Sequence, residues 1–203
     1  MSYNLPEGWK TVKLEQLGEV VGGGTPSTKK SEYYDGGNIP WLTPKDLSGY
    51  RRRHISRGER NITKEGLANS SAKIYPAGTV LFSSRAPIGY IAIAKNEIST
   101  NQGFKSVIPY KDITTSDYIY YLLMHNTEKI KSISSGSTFK EVSGTVMKNF
   151  IVNVPPYNEQ VQIASILSSF DDKIENNNAI IANLEAQAQA IFKSWFIDFE
   201  PFQ

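Results

Sequence analysis

The chain has 203 residues, of which 39% are hydrophobic and 21% are charged, and its formal net charge is +2. This composition is typical of an ordinary soluble protein, and the lack of cysteine excludes disulfides and thiolate metal sites. No apolar run approaches the roughly 20 residues of a membrane helix, and the first residues lack a signal-peptide core. We therefore expect a cytoplasmic protein without a membrane segment.

Short apolar runs separated by turn residues predict a first part that is rich in β-strands. In chain order, the predicted strands are 11–14, 18–21, 41–42, 79–82, 88–94, 106–108 and 152–154. Segments such as GGGTPST and YPAG separate them. Two helices are predicted in this part, at 63–68 and at 116–132. The order is mixed α/β, without regular β-α-β alternation and without a visible internal repeat.

After VPPYNEQ the pattern becomes helical. Two series of mostly apolar residues each recur every seven positions, offset by four, which is the a/d pattern of a coiled coil. The a series is Leu167, Ile174, Ile181, Ala188 and Trp195, and the d series is Ile163, Phe170, Asn177, Leu184 and Ile191. The absence of proline and glycine predicts one helix over about 158–195, about 57 Å long. Such a length favours pairing with a partner helix, and packing within one large core is the alternative.

Charge is divided unevenly along the chain. Residues 1–157 contain 20 lysines and arginines against 13 aspartates and glutamates, a net of +7. Residues 158–203 contain two against seven, a net of −5. A basic first part predicts a polyanion as ligand, although the two parts could also differ without functional meaning. We therefore predict a DNA-binding domain at 1–157 and a helical region at 158–203.

No motif of catalysis is complete in the sequence. NVPPY at 153–157 is similar to the Asn-Pro-Pro-Tyr element of amino-methyltransferases, but Val154 stands where the asparagine for the target amine is required. GGGTPST at 22–28 lacks the Walker ending and the GxGxxG spacing, and it predicts either a loop that approaches phosphate or an ordinary loop. His54 and His125 have no spacing suited to a metal. We predict no catalytic residue, no metal and no cofactor in this chain.

Basic residues concentrate between Lys29 and Lys105, where thirteen lysines and arginines accompany six acids. Arginine and lysine neutralise phosphates, arginine reads guanine with two hydrogen bonds, and asparagine or glutamine reads adenine. Serine and threonine donate to phosphate or base. The predicted DNA-binding residues are Thr25, Ser27, Lys29, Lys30, Lys45, Arg51, Arg52, Arg53, Arg57, Arg60, Ser83, Ser84, Arg85, Asn101, Gln102, Lys105, Ser137, Thr138 and Lys140. For Arg85 the alternative is a structural ion pair with a carboxylate.

Six segments resemble, in the right order and over nearly the entire chain, one half of a type I restriction-modification specificity subunit. They are LPEGWKTVKLEQLGEVVGGGTPS, IPWLTPKDL, PAGTVLFSSRAPIGYIAIA, STNQGF, SGSTFKEVSGTVMKNFIVNVPPYNEQVQIASILSSFDDKIENN and FKSWFIDFEPF. Full members of that family carry two target recognition domains and two conserved helices, whereas this chain has one of each. The resemblance implies an α+β protein, in which a mixed α/β target recognition domain at 1–157 binds DNA. A long coiled-coil-type helix at 158–203 follows it and is expected to serve dimerisation and docking of modification subunits.

The resemblance also implies a function. A specificity subunit is not an enzyme: it binds double-stranded DNA, modification subunits carry S-adenosylmethionine, and a restriction subunit cuts. A single half can restore the two-domain arrangement by homodimerising through its helix, which predicts that it reads an inverted repeat. Two other functions stay open. One is a coiled-coil adaptor without DNA specificity, and the other is a fragment of a stand-alone DNA methyltransferase, which requires a cofactor motif that is missing.

Overall fold

The computed structural model describes residues 5–134 and 141–202. The chain divides into an N-terminal unit, Met1–Ser165, and a C-terminal unit, Ile166–Gln203. The sequence analysis places the boundary earlier, after residue 157. The first turns of the long helix group with the N-terminal unit because Ala164 is buried in its hydrophobic core.

In the described residues the N-terminal unit contains ten strands and three complete α-helices, and a fourth α-helix begins in it. The strands are β1 (Lys10–Lys13), β2 (Gly18–Gly22), β3 (Ile39–Leu42), β4 (His54–Ile55), β5 (Arg60–Ile62), β6 (Val80–Phe82), β7 (Ile91–Ala94), β8 (Ser99–Thr100), β9 (Lys105–Pro109) and β10 (Ile151–Val154). The helices are α1 (Lys64–Ala68), α2 (Ser116–Ser132), α3 (Gly144–Lys148) and α4 (Tyr157–Phe196).

The strands form three sheets. The largest has the order β2-β9-β6-β7-β4, a second has the order β5-β3-β8, and β1 pairs with β10. Most pairs are antiparallel, whereas β4 pairs in parallel with β7 and β8 with β3. All seven predicted strands are present with shifted ends. The structure adds β4, β5 and β8, which are too short for a local pattern to reveal and are defined by their partners.

The central strands of the large sheet are buried on both faces. In β6, Val80 and Phe82 pack with Ile119 and Leu123 of α2, while Leu81 packs with Leu42 on the other face. This follows from the alternation of side chains along a strand. It also explains why the predicted strand at 79–82 reads as a continuous apolar run.

Both helices that the sequence predicts in the first part are present. Helix α2 begins where predicted because the side chain of Thr115 caps it, accepting a hydrogen bond from the backbone N–H of Tyr118 at 3.2 Å. Thr63 caps α1 in the same way, accepting from the backbone N–H of Gly66 at 3.0 Å. Both caps are threonines, and a threonine hydroxyl is one of the preferred side chains at this position.

Helix α4 confirms the long C-terminal helix. Within the C-terminal unit its apolar residues face solvent, for example Phe170 with 61% and Leu184 with 58% of its surface exposed. Such exposure of large apolar side chains is typical of a surface that meets another protein. None of the described helices combines the length and apolar composition that crossing a membrane requires.

Candidate nucleic-acid interface

The glycine-rich loop at 22–30 is held in place by aromatic side chains. Three of them donate hydrogen bonds to its backbone carbonyls: Tyr75 to Gly22 at 2.5 Å, Trp41 to Gly24 at 2.9 Å and Tyr34 to Pro26 at 2.6 Å. A Cβ atom on Gly23 would lie 2.1 Å from the backbone oxygen of Asn101. The glycines are therefore required for close packing against the neighbouring backbone, and this loop is anchored.

The anchored loop meets the turn that precedes β9. Thr25 Oγ1 donates a hydrogen bond to Oε1 of Gln102, although the two residues are 77 positions apart. Lys105 Nζ donates to the backbone oxygen of Gln102 at 3.3 Å. Three of the predicted DNA-binding residues are thus brought together by tertiary structure.

The turn before β9 and two further loops line a shallow groove of about 480 Å³, which we call the polar groove. Each loop contributes one predicted DNA-binding residue: Lys45, Arg85 and Asn101. The Asn101 side chain accepts a hydrogen bond from the backbone N–H of Gly103 at 2.9 Å through Oδ1, and its amide nitrogen can still donate. Lys45 Nζ lies 3.1 Å from Oε2 of Glu59, and both side chains are largely exposed.

The loop that carries Lys45 is fixed by Asp46. Oδ2 of this carboxylate accepts hydrogen bonds from the backbone N–H and the hydroxyl of Thr43 at 2.7 and 2.8 Å, and Oδ1 accepts one from the backbone N–H of Glu59 at 2.7 Å. A carboxylate that accepts several local hydrogen bonds of this kind stabilises one loop conformation. The position of Lys45 on the groove is therefore built into the fold.

The prediction that Ser83 and Ser84 contact DNA is not supported, because both are fully buried. Ser83 Oγ donates to the backbone oxygen of Pro87 at 2.8 Å and accepts from the backbone N–H of Tyr90 at 2.7 Å. Ser84 Oγ donates to the backbone oxygen of Gly103 at 3.1 Å. Their hydroxyls hold the loop at 85–90, and we assign them to the framework beneath Arg85.

Arg85 stands at the edge of the polar groove. Its Nε lies 3.0 Å from Oε2 of Glu141, and Lys105 Nζ lies 3.6 Å from Oε1 of the same carboxylate. The side chain of Arg85 is still 47% exposed. The ion pair considered as an alternative for Arg85 is present, yet it leaves the guanidinium accessible. Sequence reasoning missed Glu141, because nothing local links it to a residue so distant in the chain.

The prediction that Arg53 contacts DNA is not supported either. Its residue surface is 8% exposed, its Nε lies 3.1 Å from Oδ1 of Asp117, and its Nη1 donates to the hydroxyl of Tyr121 at 3.4 Å. The physical reason is the period of the extended backbone: His54 faces solvent, whereas Arg53 and Ile55 point inwards. Arg53 therefore belongs to the interior.

Two other predicted cations lie on aromatic rings. Arg60 lies over the ring of Tyr34, with its guanidinium carbon 4.2 Å from the centroid, and Lys30 Nζ lies 4.9 Å from the centroid of Tyr33. Lys30 also donates to the hydroxyl of Tyr33 at 3.0 Å, and this hydrogen bond raises the pKa of the lysine. Lys30 therefore stays charged at neutral pH. Sequence reasoning missed the aromatic partners of both residues.

The remaining predicted DNA-binding residues fall into two groups, one exposed and one outside the described residues. Those on exposed surface are Ser27, Lys29, Arg51, Arg52 and Arg57. The structure describes none of Ser137, Thr138 and Lys140, which lie outside the described residues. Among the residues that it does describe, no three histidine, cysteine, aspartate or glutamate side chains are grouped so that they could hold a metal ion. The surface offers cations and hydrogen-bond donors, which are the groups that bind phosphates and base edges.

Comparison with known proteins identifies a matching family and several relatives of this chain. The sequence model of the type I restriction modification DNA specificity domain matches residues 6–186. The MjaIX specificity subunit of Methanocaldococcus jannaschii, a type I restriction enzyme subunit, is 52% identical over 201 residues, which cover 98% of this chain and 46% of that protein. The EcoR124I/EcoR124II specificity subunit of Escherichia coli is 34% identical over 169 residues, which cover 80% of this chain and 40% of that protein. The chain spans less than half the length of these relatives.

Solved structures share the fold. The HsdS subunit from Thermoanaerobacter tengcongensis aligns over 96% of this chain and 46% of its own, with a TM-score of 0.64 at 22% identity. The type I restriction-modification S subunit from M. genitalium aligns over 97% of this chain and 48% of its own, with a TM-score of 0.68 at 16% identity. The domain match covers most of the sequence, and the chain therefore belongs to the family of type I restriction modification DNA specificity domains.

Proposed function

We propose that this chain is the non-catalytic DNA-specificity subunit of a type I restriction-modification complex and that its N-terminal unit reads one half of a bipartite target. The observation that carries the proposal is the polar groove, where Lys45, Arg85 and Asn101 converge from three separate loops. Loops on a rigid sheet framework are the usual carriers of recognition residues. The side chains at this groove match phosphates and base edges rather than a reacting centre.

Electrostatics support the same ligand. The segment 1–157 has a net charge of +7, and two of its cations, Lys45 and Arg85, line the groove. The pairs that they form are weak, because an exposed ion pair such as Lys45 with Glu59 contributes only about 0–1 kcal/mol. A phosphate can replace such a carboxylate partner with release of counterions from the DNA.

Helix α4 supplies the second half of the target by pairing two copies of the chain. Its a/d residues form an apolar seam that a second α4 covers in an antiparallel homodimer. Asn177 lies close to the middle of Tyr157–Phe196, so it meets its counterpart near the two-fold axis and sets the register. Two identical recognition units related by a two-fold axis read an inverted repeat.

Chemistry in the proposed complex belongs to other subunits. Modification subunits bind S-adenosylmethionine and transfer the methyl group, a restriction subunit cuts, and this chain supplies the sequence preference. The support is the family itself together with its relatives, which are specificity subunits of type I restriction enzymes.

A selection from randomised duplexes, with the modification subunit present, tests the proposal. We expect an inverted repeat with a fixed gap to be enriched. Lys45→Ala should weaken binding to all sequences and lower the slope of log affinity against log salt by about one. Lys193→Ala removes the same charge from the helical region and serves as the matched control, for which we expect no change.

Other outcomes distinguish the alternatives. A chain that dimerises but retains no duplex at low salt is an adaptor, and the DNA-specificity proposal is then wrong. Methyl transfer by a preparation free of partner subunits would show that the chain is a methyltransferase fragment.

A further inference from the structure

The Glu141 carboxylate is the one acid among the described residues for which the structure shows ion pairs with two predicted DNA-binding cations, Arg85 and Lys105. We infer that Glu141 is a specificity-determining residue that positions Arg85 to read a guanine. This inference rests on the proposed function and names one element of its mechanism. Glu141 itself is a positioning residue, because it acts through Arg85.

The backbone that carries Arg85 is fixed before any ligand arrives. Arg85 and Glu141 face each other in an antiparallel bridge, and the backbone N–H of Val142 donates to the oxygen of Ser84 at 2.9 Å. The backbone N–H of Ser84 donates to the oxygen of Gly103 at 2.8 Å. Arg85 therefore starts from a framework tied to two separate parts of the chain.

The ion pair then restricts the side chain. The close approach of Glu141 is to Nε, the inner nitrogen of the guanidinium, at 3.0 Å. The outer edge of the guanidinium, formed by Nη1 and Nη2, is the edge that can give two hydrogen bonds to O6 and N7 of guanine. A carboxylate at Nε fixes the rotation of the planar fork and reduces the rotamer freedom that binding would otherwise remove.

The same carboxylate weakens binding to the wrong sequence. It partly neutralises Arg85 and Lys105, so neither cation is fully available to an arbitrary phosphate. Specificity is a difference between two affinities, and lowering the affinity for the wrong ligand increases it. Glu141 thus favours binding to the correct sequence and weakens binding to other sequences.

The test compares Glu141→Gln with Glu59→Gln in duplex selection and in salt titration, using the full chain with the modification subunit present. Glu141→Gln removes the acid beside Arg85, and Glu59→Gln removes the acid beside Lys45. Both variants should therefore bind non-specific duplex more tightly, with a salt slope larger by about one. Only Glu141→Gln should lose discrimination at a single base pair, by about fivefold or more, because a bidentate arginine contact gives about five- to 150-fold discrimination.

Arg85→Lys identifies the base pair concerned. It keeps the positive charge but removes the planar fork, so discrimination should fall at the same base pair as in Glu141→Gln. Glu141→Asp keeps a carboxylate and should restore part of the discrimination. If Glu141 only stabilised the fold, Glu141→Gln would not lose discrimination at the base pair that Arg85→Lys affects. Glu141→Asp would then have no discrimination to restore.

Three outcomes separate the possibilities. If Glu141→Gln and Glu59→Gln behave alike and keep full base discrimination, Glu141 only lowers the local charge and the inference is wrong. If Glu141→Gln and Arg85→Lys lose discrimination at different base pairs, the inference is also wrong. If the unaltered chain shows no sequence preference at all, it is the proposed function that fails. Melting temperatures within about 2 °C of the parent confirm that each variant is folded.

Discussion

Nε of Arg53 lies 3.1 Å from Oδ1 of Asp117, inside a domain where its neighbour Arg52 is exposed. This pair predicts that alanine substitution affects stability at Arg53 but DNA binding at the adjacent Arg52. Arg53→Ala leaves Asp117 without its cation and should lower the free energy of unfolding by about 1–3 kcal/mol. Arg52→Ala should change it by less than about 0.5 kcal/mol and should instead reduce the salt dependence of DNA binding.

Denaturant unfolding and salt-dependent duplex binding measure the two effects separately. If Arg53→Ala keeps the stability of the parent but loses DNA affinity, the residue reaches DNA and its assignment to the interior is wrong.

Arg85 is predicted to contribute directly to target binding. Arg85→Ala should cost about 1–3 kcal/mol of specific binding, and competition with non-specific duplex should show that most of this cost is sequence-dependent. If affinity falls equally on all sequences, Arg85 contacts phosphate only. An unchanged affinity with a lowered melting temperature would show that its ion pair with Glu141 serves the fold alone.

The exposed seam of α4 predicts a dimer that a single charge disrupts. Leu184 is at a d position, so Leu184→Lys would place two charges in the apolar interface of the proposed homodimer and should destabilise that dimer by at least about 3 kcal/mol. Asn183→Lys adds the same charge one position away, outside the seam, and is the control. Sedimentation equilibrium should show a monomer for the first variant and a dimer for the second. Equal association of both would show that α4 does not pair through this seam.

The length of α4 is predicted to set the gap between the two half-targets. Deletion of one whole heptad preserves the seam and shortens each helix by about 10 Å. At about 3.4 Å per base pair the preferred gap should shorten by about three base pairs. Selection on duplexes with varied gaps measures it. A deletion variant that stays dimeric and keeps the original gap would contradict this relation.

Burial of Tyr75 predicts loss of stability in alkali. Burial raises the pKa of its phenol from the ordinary value of 10.0 to about 12, so the folded state favours the neutral form. The resulting stabilisation is complete below about pH 10 and is lost as the pH rises through 12. Tyr75→Phe should reduce this loss between pH 10 and 12. At neutral pH it should cost about 1 kcal/mol, because the hydrogen bond to Gly22 disappears.

Unfolding measured across this range, with the exposed Tyr110→Phe as the control, tests the prediction. Tyr118, whose pKa burial also raises to about 12, should leave a residual loss in the Tyr75 variant. Identical alkaline unfolding of the parent and the Tyr75 variant would contradict the assignment.

Elements with a repeating local signal could be predicted from the sequence. Helix α4 follows from apolar residues spaced by three and four over many turns, and α2 lies at Ser116–Ser132, the range that the sequence predicts. The net charge of the segment 1–157 is a property of composition alone. Family membership also lies in the sequence, since the matching segments stand in order along it.

Tertiary structure alone decided which polar residues reach the surface. Ser83 and Ser84 are chemically suited to bind phosphate, yet the loop folds so that their hydroxyls point into the protein. Arg53 resembles Arg52 in the sequence, and only the register of the strand that follows separates them. Glu141 meets Arg85 because the chain returns to pair with the segment that follows β6. Such pairings depend on contacts between distant segments, and no local pattern of residues contains them.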